Sequence, residues 1–187
     1  VDIGEARARY CRCIYETAKE SEKLHMFIHA MDIDWASSYE INQIEHDEDH
    51  PLMQDVIDAS FGEMKNLDVF LSAWRKTLEN KWSKVRPAVL LLEAGHHLEG
   101  LDGVSRLAKK WKGKQPGGYL YWLDILKKQA EFENIIEVSV EGLKVLQHGR
   151  ARARVARFLI DAAAEVGDPT KLLEGKRECF FSSPNDQ

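Results

Sequence analysis

Long hydrophobic runs are missing from this sequence. The longest, Ala88-Val-Leu-Leu-Leu92, stops at five residues, far short of the roughly 18 to 20 that a membrane-spanning helix needs. No basic n-region followed by an apolar stretch opens the chain either, so no secretory signal is expected. Cysteine is scarce: Cys11, Cys13 and Cys179 are an odd number in a chain of 187 residues, which is long enough to bury a core without disulfide staples. That usage fits a reducing compartment, with cytoplasm as the expected location and the thiols acting as small core residues. An excess of positive charge is lacking as well. Twenty-six Lys and Arg face 31 Asp and Glu, a net of −5, which argues against general nucleic-acid binding. Nucleophile elbows, Walker loops and dinucleotide fingerprints are all absent, and Gly113-Lys-Gln-Pro-Gly-Gly118 is too basic and too broken by proline to cradle a phosphate. No enzyme activity and no cofactor are expected on these grounds.

What is present is the balance of a folded globular chain, with 44% hydrophobic and 30% charged residues. It begins at Val1 rather than Met and closes on Ser-Ser-Pro-Asn-Asp-Gln, which leaves open that it is a piece of a longer protein. Apolar residues recur at spacings of three and four throughout, and no turn signal joins two alternating runs, so the expectation is nine or ten helices and no sheet. Breaks are expected at His50-Pro51, Phe61-Gly62, Gly100, Gly113 to Gly118, His148-Gly149 and Gly167-Asp-Pro169. Asp168-Pro169 offers a capping carboxylate before a proline at the first helical position, and Gln115-Pro116 a similar start. In the middle of the chain, Leu67, Phe70, Leu71, Trp74 and Leu78 form one core stripe, and Val85, Val89, Leu92 and His96 another, widened by Leu90, Leu91 and Leu98.

The sequence also repeats itself. Ala6-Arg-Ala-Arg-Tyr-Cys-Arg-Cys-Ile-Tyr-Glu-Thr-Ala18 aligns with Ala151-Arg-Ala-Arg-Val-Ala-Arg-Phe-Leu-Ile-Asp-Ala-Ala163, and Glu20 with Glu165. Tyr119 to Leu146 gives a looser third copy, turning at Ala130-Glu-Phe132. These last two hairpins resemble tetratricopeptide-type repeats, pairs of antiparallel helices stacked into a superhelix. Tyr119 and Phe132 stand where that family prefers aromatics, Gly142 and Cys179 at its small position in the second helix, and Pro184 at its closing proline. Leu123 and Ile160 depart from it where a small residue is usual, and Lys176 where an apolar one is. The resulting expectation is an all-α fold of stacked antiparallel helical hairpins, a TPR-like right-handed α-solenoid or a fragment of one. Residues 1–187 are read as a single helical-repeat domain: a hairpin over 5–33, an irregular helical segment over 34–115, and repeats over 116–149 and 150–186.

The resemblance implies a concave groove lined by the first helix of each pair. Carried over by position, its lining includes Arg9, Arg12, Glu16 and Glu20 at the N-terminal hairpin, then Asp124, Lys127 and Lys128, then Arg154, Arg157, Asp161 and Glu165. Charge segregation adds to this reading. Residues 32–68 hold eleven acids against Lys65 alone, a net of −10, whereas 106–114 and 144–157 carry five bases each and no acid. The expected function is therefore a non-catalytic scaffold that binds a protein or peptide partner, acidic ones favoured, through Arg9, Arg12, Lys127, Lys128, Arg154 and Arg157. The chain's own acidic stretch is an alternative occupant. Neither a nucleic-acid nor a membrane partner is expected.

Two further readings stay open. Glu22-Lys-Leu-His25 and Glu93-Ala-Gly-His96 each set a Glu and a His on one helix face; with single glutamates from Glu63 or Glu79 and Glu137 or Glu141, they could build the metal centre of a helical bundle. The run Glu45-His-Asp-Glu-Asp-His50 is either a solvated acidic loop or a weak cation site. Cys11 and Cys13, two residues apart on a helix, diverge and are read as structural. A fragment of a longer solenoid would instead expose apolar surface at Cys13-Ile14-Tyr15 or Phe180-Phe181, with self-association through the repeat ends. Among the five tryptophans, Trp74 and Trp122 are expected in the core. Trp111 is either an amphipathic packing residue or an exposed anchor.

Overall fold

A computed structural model describes residues 2–34, 50–59 and 62–182 of the chain. The described residues contain no strand and nine α-helices: α1 (Ile3–Thr17), α2 (Glu20–Ala30), α3 (Met53–Asp58), α4 (Leu67–Leu78), α5 (Val85–Trp111), α6 (Gly117–Lys128), α7 (Phe132–Val145), α8 (Arg150–Val166) and α9 (Pro169–Ser182). A single 3-10 turn, Lys112–Lys114, follows α5. No described helix is long and apolar enough to cross a membrane. The described residues divide into two compact units, one ending at Gly103 and one beginning at Val104. The closing proline of the repeat pattern, Pro184, lies outside the described residues.

In the first unit, Asp2 caps α1 by accepting a hydrogen bond from the Glu5 amide at 3.0 Å. The core is built on aromatic edges. Phe70 meets Tyr15 and Phe27 with ring centres 5.0 and 4.9 Å apart, and Phe27 meets Trp74 at 5.4 Å. The α4 stripe is buried at Phe70, Leu71, Trp74 and Leu78, as its spacing predicts, with Leu67 half-buried. The α5 stripe is different. Val85, Val89 and His96 are only half-buried, while every residue from Leu90 to Ala94 is buried. A helix covered on all sides needs no apolar stripe, and α5 is so covered from Leu90 to Ala94.

At Gly100 the backbone takes φ 62° and ψ −146°, a conformation closed to residues with a side chain, and the helical run is broken there. The chain folds back so tightly that a Cβ at Gly103 would stand 2.4 Å from the carbonyl oxygen of Gly95, eight residues upstream.

The second unit holds the end of α5 from Val104 and two antiparallel helix pairs. Tyr119, near the start of α6, donates its hydroxyl to Glu141, near the end of α7, at 2.9 Å, so the two helices run antiparallel. Arg152 at the start of α8 likewise meets Glu178 towards the end of α9, at 2.7 and 2.9 Å. Helix α8 packs against both α6 and α7. A Cβ at Gly142 would touch Tyr119 at 3.3 Å and Val155 at 3.4 Å, so the missing side chain is what lets α6, α7 and α8 meet. Leu123, Val155, Ala156 and Leu159 are wholly buried there. Each fully buried leucine contributes about 1.5–3 kcal/mol by leaving water. Trp111 is buried at 2% exposure, which settles it as a packing residue, whereas Trp122 is half-buried with the Lys109 ammonium 5.4 Å from its ring. The core position expected for Trp122 is therefore corrected to the rim of the unit.

Candidate partner-binding surfaces

The residues expected to line a groove fall into different surroundings. In the first unit, Arg9 is exposed and pairs with Glu5 at 2.6 Å, one turn back on its own helix. Arg12 is 2% exposed. Its Nε donates to Glu16 at 2.6 Å, Nη1 to the Ile57 carbonyl at 3.0 Å and Nη2 to the Gly62 carbonyl at 2.9 Å. The guanidinium thus closes the C-terminal end of α3, where backbone carbonyls lack helical partners. Its match in the internal alignment, Arg157, is exposed.

In the second unit the first helices of the two hairpins come together. Lys127 at the end of α6 reaches Asp161 of α8 at 3.4 Å and lies 5.5 Å from the Phe158 ring centre. Lys128 and Arg157 are exposed, and Arg154 is half-buried on the same stripe of α8 as Arg157 and Asp161. The surface sets Lys127, Lys128, Arg154 and Arg157 among three acids, Asp124, Asp161 and Glu165. Asp124 is half-buried, and Glu165 exposed.

The two Glu-x-x-His motifs are not equivalent. Glu22 and His25 are exposed on α2, and Glu63, Glu79 and Glu137 are exposed as well. Glu141 is occupied by Tyr119 and, at 3.4 Å, by Lys109; burial and that carboxylate together lift the Tyr119 hydroxyl well above its ordinary pKa. Glu93 is buried, and His96 half-buried. Both Glu93 oxygens are spent on backbone, accepting from the amides of Met53 and Gln54 at 2.7 Å each. Among the described residues, no three His, Cys, Asp or Glu side chains gather as a metal site would require. Cys11 is buried and Cys13 exposed, diverging as their spacing predicts; burial pushes the Cys11 thiol up to about 11. Of the acidic run, Glu45 to Asp49 lie outside the described residues, as does Trp35. His50 is buried, 3.8 Å from the Asp32 carboxylate.

One buried charge carries no sequence signature. Arg86, 8% exposed, donates to Met31 at 2.6 and 3.2 Å, to Asp32 at 3.2 Å, to His50 at 3.4 Å and to Pro51 at 3.0 Å, all backbone carbonyls. Together with Glu93 it holds the entry to α3. Removal from water raises the Glu93 carboxyl to about 7, against the pull of the two amides and of Arg86.

The C-terminal helix supplies a second surface. Along α9, Leu173 is 69%, Phe180 51% and Phe181 56% exposed. Thr170, Leu173, Glu174, Arg177, Glu178 and Phe181 line a shallow depression of about 380 Å³ on one face of that helix. At the other end of the chain, Cys13 is exposed but Ile14 and Tyr15 are buried, and α1 presents Ile3 and Tyr10 instead. No protein-family model, no curated protein and no solved structure matches this chain.

Proposed function

We propose that this protein is a non-catalytic, cytoplasmic helical-repeat scaffold of the tetratricopeptide-like kind, which binds an extended protein or peptide segment carrying acidic groups. The observation that supports the reading is the meeting of α6 and α8, the first helices of successive hairpins, with Lys127, Lys128 and Arg157 exposed around their contact. An acidic segment laid across these helices would take charge-assisted hydrogen bonds from those side chains. Asp161, 3.4 Å from Lys127, occupies part of that surface as an internal competitor.

A fluorescein-labelled oligo-glutamate peptide, followed by anisotropy, tests the proposal. Binding is expected to weaken with added salt, since exposed charges are screened over about 10 Å at 0.1 M. Lys128→Glu with Arg157→Glu should lower affinity about tenfold or more, and Asp161→Asn should raise it by releasing Lys127. Salt-independent binding, or equal affinity in the double charge reversal, would remove the basis for this function.

A further inference from the structure

A separate surface, independent of the α6–α8 face, points to a second partner. We propose that the exposed face of α9 is a weak, two-fold self-association site, on which α9 of a second copy of this chain packs antiparallel.

The argument starts from spacing. Thr170, Leu173, Glu174, Arg177, Glu178 and Phe181 recur at three and four residues, so they share one face of a 14-residue helix. Leu173, Arg177 and Phe181 are exposed along it, Glu174 is half-buried, and Glu178, also half-buried, is held at its margin by Arg152 of α8. The opposite side of α9 is committed to α8: Gly175 is buried, and a Cβ there would lie 2.8 Å from Ile160.

Charge then selects the occupant and the register. In an antiparallel pair related by a two-fold axis, residues whose numbers sum to a constant lie opposite one another. Setting Leu173 directly against Phe181 of the second copy would place Arg177 against itself, which is repulsive. Sliding the second copy by three residues instead pairs Glu174 with Arg177 of the second copy, twice over. It also sets Thr170 opposite Phe181, and Leu173 opposite Glu178 with Phe181 of the second copy one turn away. The apolar contact survives and both ion pairs form. Within one chain, Glu174 already holds Lys171 at 2.6 Å and Arg177 lies 5.8 Å from the Phe181 ring, so both groups start on the surface that would be covered.

A 14-residue helix is about 21 Å long, and one face of it covers much less than the roughly 800 Å² per partner of a stable interface. The association is therefore weak and concentration-dependent.

Sedimentation velocity on the full chain, from about 10 µM to about 1 mM, reads this directly. Wild type should shift from monomer to dimer across that range. Glu174→Arg alone and Arg177→Glu alone should each weaken dimerisation about tenfold or more, because each places like charges opposite. An equimolar mixture of the two variants should recover it. In the mixed pair one chain is basic at both positions 174 and 177 and the other is acidic at both, so each opposed pair is again of opposite sign. A wild type that stays monomeric at the highest concentration overturns the proposal. So does dimerisation untouched by the single variants, or a mixture no better than either alone. Circular dichroism on each variant guards against loss of the helix as the cause.

Discussion

Four buried or half-buried charged side chains have structural roles that no spacing rule announces. Arg12, Arg86 and Arg152 each engage backbone carbonyls at the ends of helices or turns, Arg152 reaching those of Leu143 and Leu146 at the end of α7. Glu93 does the converse at the start of α3. In the sequence Glu93 is legible only as half of a Glu-x-x-His motif, because its true partners are two amides about forty residues upstream. Arg12 reads as a surface base for the same reason: backbone acceptors leave no mark in composition. Glu93→Ala is expected to cost about 2 kcal/mol or more, measured by urea denaturation, since it leaves two amides without acceptors. Its titration has a definite sign. The carboxyl is raised from 4.5 to about 7 in the folded chain, so its contribution is fully present below pH 4.5 and is lost as pH rises through about 7. Relative to Glu93→Gln, which does not titrate, wild type should lose stability between those limits. A pH-independent difference would contradict that assignment.

Helix ends are the most legible elements, because proline, glycine and capping residues act locally. Asp168 behaves as its position predicts, accepting from the amides of Thr170 at 2.9 Å and Lys171 at 3.0 Å. Asp168→Ala should lower stability by about 1 kcal/mol in thermal or urea unfolding. The turn at Ala130 to Phe132 and the break at Gly100 are equally plain in the sequence. The burial pattern of α5 is not, since a stripe signals a helix with one wet side and α5 from Leu90 to Ala94 has none. The fold-back after Gly100 is only half visible. A glycine marks the turn, but the close approach of Gly103 to Gly95 depends on how the two flanks pack. Gly103→Ala should cost about 2 kcal/mol or more in the same unfolding assay, because the new methyl meets backbone that cannot rotate away. Substitution to serine should be at least as damaging.

At the scale of the whole chain, the described residues fall into two compact units that divide at Gly103. No linker composition marks that division, since helical periodicity runs on through α5. The compactness of each unit predicts separate responses. Trp74→Ala should accelerate amide exchange in α1, α2 and α4 well before α7 and α8, and Tyr119→Ala the reverse; a uniform loss of protection in either variant would mean one cooperative unit. The Arg86 clasp has a consequence for the order in which segments are lost. One guanidinium holds the carbonyls of Met31 and Asp32 beyond α2 and those of His50 and Pro51 ahead of α3, so each side anchors the other. Arg86→Met should therefore raise amide exchange at the end of α2 and the start of α3 together, and protection lost on one side alone would contradict that shared anchorage.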